Sequence, residues 1–78
     1  MKEFEIRIKS VRDVISFVNL ATKCPFPVKV SNERHTVNGK SFMEIVWMNF
    51  SRPLKAVMDC SEEEFEQFRQ EVQALLAK

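Results

Sequence analysis

Val37-Asn38-Gly39-Lys40-Ser41-Phe42-Met43-Glu44-Ile45-Val46-Trp47-Met48-Asn49-Phe50 passes from a polar tetrapeptide into a run of large apolar residues, with Ser41 at the junction. Gly39-Lys40-Ser41 invites a phosphate-loop reading. That loop needs a second glycine five positions before Gly39, and Arg34 stands there, so the nucleotide-binding reading falls away. Ser41 instead opens a helix, with Glu44 three residues on in a capping-box arrangement. The hydroxyl accepts a backbone N–H, and the carboxylate reaches back towards the capping residue. This short helix must end before Pro53, because proline disfavours helical geometry in the residue preceding it.

Strand signals lie on both sides of this helix. Val28, Val30, Thr36 and Val37 suggest a hairpin turning near Ser31-Asn32-Glu33-Arg34, and without a glycine its loop takes about four residues rather than two. Leu54 to Asp59 reads as a further strand. Towards the N-terminus, Lys2 to Ile8 alternates strictly, with Phe4, Ile6 and Ile8 on one face and Glu3, Glu5 and Arg7 on the other, the period of a half-buried strand. Ser10 with Asp13 signals a cap, after which Val11, Val14, Ile15, Val18 and Ala21 or Thr22 repeat at helical spacing until Pro25 and Pro27. Ser61 with Glu64 caps a last helix, whose apolar stripe is Phe65, Phe68, Val72, Leu75 and Leu76 and whose first turn is acidic, as the helix dipole favours.

The order βαββαβα describes one domain over residues 1–78. Its strands form a sheet covered on one face by the helices, an open-faced two-layer α+β arrangement. A right-handed first crossover makes strands one and two parallel and allows the fourth to lie between them, antiparallel to both. A chain of 78 residues buries only a small core, but 45% apolar residues with seven Phe and one Trp suffice for it. The formal charge of +1 gives no general pull towards nucleic acid or an anionic membrane. No apolar stretch approaches a membrane span and the N-terminus lacks signal-peptide character, so a cytoplasmic location is expected.

Cys24 and Cys60 match neither a redox CxxC nor a zinc pattern, and with one histidine in the chain no metal or other cofactor is expected. In the proposed topology they fall at the same end of the sheet, close to one another, as reduced, half-buried thiols or as a pair that forms a disulfide under oxidation. No His/Cys/Asp constellation, carboxylate pair or phosphate loop supports an enzyme.

The order of elements, with the segment Thr36 to Met48, Pro53 to Asp59 and the acidic start of the last helix, resembles the histidine-containing phosphocarrier (HPr) family of the bacterial sugar phosphotransferase system. The resemblance implies an HPr-like open-faced β-sandwich over nearly the whole chain. It also exposes a departure. In the family, the loop after the first strand carries a phospho-accepting His followed by an Arg and a Pro. Here Ser10 falls at the place of the His, Arg12 could stand for the arginine, and Asp13 replaces the proline. A serine hydroxyl does not shuttle phosphate reversibly near neutral pH as an imidazole does, so the phosphohistidine step is expected to be absent. The only histidine, His35, reads as an exposed strand or turn residue.

The resemblance also aligns Ser41 with the serine modified by the HPr kinase/phosphorylase. A phosphate there would meet the helix start with Lys40 adjacent, while Glu44 would repel it. Ser41 is thus either a helix cap alone or a regulatory phosphorylation site. Family members dock enzyme I, the kinase and transcriptional regulators through the short helix. The matching positions are Phe42, Met43 and Val46, expected to be partly exposed over a buried Ile45 and Met48. Trp47 either extends the patch or turns inward. The alternative is an interaction or dimerisation module unrelated to sugar uptake, as monomer or homodimer.

Overall fold

The alternation that begins at Lys2 and the prolines that bound the first helix set a framework of four strands and three helices. In chain order these are β1 (Lys2–Ile6), α1 (Val11–Thr22), β2 (Val28–Ser31), β3 (Thr36–Asn38), α2 (Phe42–Trp47), β4 (Leu54–Met58) and α3 (Glu62–Leu76). The computed structural model describes residues 1–48 and 50–76. The sheet order is β1-β4-β2-β3 with antiparallel neighbours throughout, so β4 lies between the parallel β1 and β2 as the crossover argument requires.

Register places the loops. Ile6 faces Leu54, and Ser31 faces both Lys55 and Thr36. The β1–α1 loop, the β2–β3 turn and the entry to β4 therefore share one end of the sheet. Lys2 and Val28 both face Met58, which brings the segments carrying Cys24 and Cys60 to the other end. Ile6, Val28, Val30, Leu54, Ala56 and Met58 point inward and are buried. The opposite face carries Glu3, Glu5, Lys29 and Lys55, all exposed, with Lys55 3.6 Å from Glu3. Exposed pairs of this kind contribute little to stability, and their effect is to keep that face wet.

Helix starts follow the serines. Ser61 and Glu64 complete a reciprocal capping box, with Glu64 N–H on Ser61 Oγ at 3.2 Å and Ser61 N–H on Glu64 Oε1 at 3.0 Å. At α1, Asp13 N–H donates to Ser10 Oγ at 3.4 Å, while the Asp13 carboxylate accepts from Lys9 N–H. The face of α1 differs from the expected stripe. Val14, Phe17 and Ala21 are buried, whereas Val11 and Ile15 are each 47% exposed. Both patterns have helical period, and the ring of Phe17 decides between them. It meets Phe68 edge-on at 5.9 Å, and Phe68 also receives the edges of Phe4 and Phe26. Turning Phe17 to the core leaves Val11 and Ile15 on the outer flank. β1 also ends two residues earlier than alternation suggested, although Ile8 is still buried.

Candidate functional site

The segment from β3 into α2 is held by a turn organised around Asn38. Ser41 N–H donates to the Asn38 carbonyl at 3.1 Å and Lys40 N–H to Asn38 Oδ1 at 2.9 Å. Gly39 N–H donates to the Val28 carbonyl at 2.7 Å, an approach that leaves no space for a side chain. A Cβ on Gly39 would lie 2.8 Å from Val28 Cγ1 and 3.0 Å from the Val28 carbonyl oxygen. The glycine of Gly39-Lys40-Ser41 is therefore required by packing on β2.

Ser41 caps α2, accepting Glu44 N–H on its hydroxyl at 3.4 Å, with Ile45 N–H on its carbonyl. Two expectations need correction. The Glu44 carboxylate passes over Ser41 N–H, already taken by Asn38, and accepts the Asn38 backbone N–H at 3.3 Å. Lys40, expected beside a phosphate on Ser41, has its ammonium on the Cys24 carbonyl at 2.8 Å. It ties the start of α2 to the end of α1.

With six residues, α2 has little surface to divide. Ile45 and the following Met48 are buried, Phe42 and Val46 are half-buried, and Met43 and Trp47 are 72% and 69% exposed. Trp47 thus extends the outer patch. Spaced four residues apart, Met43 and Trp47 share one side of the helix.

No protein-family model and no curated protein sequence matches the chain. Solved structures do. The crystal structure of HPr-C-His from Thermoanaerobacter tengcongensis superposes with a TM-score of 0.78 at 25% identity, covering 100% of this chain and 98% of that one. The phosphocarrier protein HPr of Bacillus anthracis gives a TM-score of 0.71 at 17% identity over 96% of this chain and 95% of its own. This chain has the HPr fold. Crh, the Bacillus subtilis catabolite repression protein, gives a TM-score of 0.65 at 20% identity over 100% of this chain and 98% of its own, and its structure is described as a swapped dimer.

Within this HPr fold, Ser10 and Arg12 lie at the exposed start of α1, with Ser10 as its cap. His35 stands at the same end of the sheet, in the β2–β3 turn, where Asn32 Oδ1 accepts the N–H groups of Arg34 and His35. Its ring meets Trp47 edge-on with centroids 5.0 Å apart. His35 and Trp47 lie on different elements, brought together by the placement of α2 beside β3, and no local spacing carries that signal.

Cys24 and Cys60 are free, half-buried thiols at the opposite end. Burial pushes both up from the usual thiol range. Lys40 opposes this at Cys24, while nearby acids and Cys60 reinforce it. Among the described residues no group of His, Cys, Asp or Glu could hold a metal ion, and no helix is long and apolar enough to cross a membrane.

Proposed function

We propose that this is an HPr-like regulatory protein related to the sugar phosphotransferase system, which works by binding other proteins and not by carrying phosphate on histidine. The observation that carries the reading is the cap of α1. Where the family's phosphohistidine belongs, a serine hydroxyl accepts the Asp13 N–H, and the chain's one imidazole is on the β2–β3 turn against Trp47. Phosphoenolpyruvate and enzyme I should leave the protein unlabelled. Acid-labile phosphate on His35 or any other residue would overturn this.

Docking is assigned to α2, through Phe42, Met43, Val46 and Trp47. Two strongly exposed apolar side chains on a six-residue helix support it. The partners are those the resemblance implies: the HPr kinase/phosphorylase, enzyme I or transcriptional regulators. Ser41 is the candidate phosphorylation site. Its hydroxyl caps α2, so a phosphate there would act on the start of the docking helix; the Glu44 carboxylate opposes it and Lys40 is engaged elsewhere. Kinase and ATP should label wild-type protein and not Ser41→Ala. Absence of label in the wild type, or equal label in the variant, reduces Ser41 to a cap.

A second reading, self-association unrelated to sugar uptake, draws on the same exposed Met43 and Trp47 and on the swapped dimer described for Crh. Sedimentation across a concentration series separates the two: a monomer that captures phosphotransferase proteins supports the first, a stable dimer that captures none supports the second.

A further inference from the structure

Arg7, Lys9, Arg34 and Arg52 are scattered over three segments of the sequence, yet the register gathers all three at one end of the sheet. Two open grooves lie between them. One, of about 650 Å³, is bordered by Arg34, His35 and Trp47; the other, of about 450 Å³, by Arg7, Ile8, Lys9 and Phe50. Met48, Arg52 and Pro53 border both, so the two adjoin. The mostly exposed Trp47 and half-buried Phe50 give this surface apolar character above the buried Ile8 and Met48, and the His35 ring lies edge-on to the indole.

Charge is unevenly spread around it. Among the described residues, Glu33 is the only carboxylate bordering either groove, and it lies 3.5 Å from Arg52 with both side chains mostly exposed. Lys9 is held by its ammonium on the Leu76 carbonyl at 2.9 Å. Arg34 has no ion pair among the described residues. The formal charge of the whole chain is only +1, and the balancing acids Asp59, Glu62, Glu63 and Glu64 follow the far end of β4. The basic groove is thus a local concentration, framed by apolar side chains.

We infer that these adjoining grooves bind an acidic peptide segment of a partner protein, its carboxylates on Arg34, Arg52 and Arg7 and an apolar side chain against Trp47. The inference rests on the reading of α2 as a docking helix and adds the chemistry of what docks there. A nucleic acid fits less well: it presents phosphates at every step, the acidic far end repels a long polyanion, and a single indole offers one stacking platform.

Trp47 is the only tryptophan and reports on the groove directly. Titration with a short synthetic peptide in which Glu alternates with Leu should give a saturable change in Trp47 emission that weakens as salt rises. Chemical shifts of Arg34, Trp47 and Arg52 amides should move with it. The double variant Arg34→Glu/Arg52→Glu, at exposed positions, should keep the wild-type circular dichroism and bind about tenfold or more weakly. Several results overturn the inference: no saturable change, shifts confined to other residues, equal binding of a Gln-Leu peptide, equal binding by the double variant, or tighter binding of an oligothymidylate. Kinase labelling of Ser41 and the enzyme I assay use none of these arginines as a readout, so this inference and the proposed function can fail separately.

Discussion

The Glu44 carboxylate accepts the backbone N–H of Asn38 at 3.3 Å, across the serine that caps the same helix. One side chain thereby joins the last residue of β3 to the first turn of α2, and places a negative charge where a phosphate on Ser41 would come. Removing it should have opposite effects on stability and modification. Glu44→Gly should lower stability by about 1–2 kcal/mol, from the lost contact and the flexible residue, while raising the initial rate of kinase labelling at Ser41. Urea denaturation and a labelling time course check the two halves.

Ser41→Ala removes the hydroxyl that accepts Glu44 N–H. A cost of about 1 kcal/mol is expected from loss of the cap. Urea midpoints with unchanged slope would verify it. A cost near zero would show that the 3.4 Å contact contributes nothing to the cap.

Gly39→Ala tests the packing account of the glycine. Its φ is not positive, so alanine carries no backbone penalty there and any loss comes from the clash with Val28 Cγ1 and the Val28 carbonyl. The valine side chain can rotate, but the carbonyl is held in the sheet. A destabilisation of about 1–3 kcal/mol follows, read by thermal or urea unfolding. Val28→Ala should cost less in the Gly39→Ala background than in the wild type, because it removes the Cγ1 half of the clash.

Ile45→Ala and Trp47→Ala separate core from surface on one short helix. Ile45 is fully buried, and its truncation should cost about 2–5 kcal/mol, a large fraction of what a domain this size has. Trp47 is mostly exposed, and its truncation should cost less than about 1 kcal/mol. Thermal midpoints give the comparison; partner capture should fall in the tryptophan variant.

The thiols give a pH dependence. Burial disfavours the thiolate and raises Cys24, whose Sγ–H also points to the Leu20 carbonyl at 3.7 Å. A folded-state value above the unfolded one contributes stability that is present below the unfolded thiol pKa and lost as pH rises through the folded value. Thermal midpoints should therefore fall on the alkaline side of the usual thiol range, and less so in Cys24→Ser. Alkylation of Cys24 by iodoacetamide should run slower than that of a small thiol at the same pH.

Alternation, caps and prolines made the element order legible, because each is a local consequence of backbone chemistry: the strand opening at Lys2 by period, Ser10, Ser41 and Ser61 by their hydroxyls, Pro25 and Pro53 as stops. The buried side of α2 was legible for the same reason. What could not be read depends on contacts between distant segments. Whether α1 presents Val11 and Ile15 or Phe17 to the core is decided by Phe68 on another helix. The target of Glu44 is decided by a turn that had already occupied Ser41 N–H. The neighbourhood of Trp47, His35 and the basic groove exists only once the strands are in register.

Among the described residues β1 has one ladder partner, β4, from Lys2 opposite Met58 to Ile6 opposite Leu54, and its inner face meets α3 through Phe4 against Phe65 and Phe68. The first of the four strands is thus completed by the fourth strand and the third helix. A segment holding β1 to β3 without β4 would leave β1 with no ladder partner. The β1–β4 ladder is thus the contact of longest sequence separation in the sheet, and closing it carries the largest loop-entropy cost of the fold.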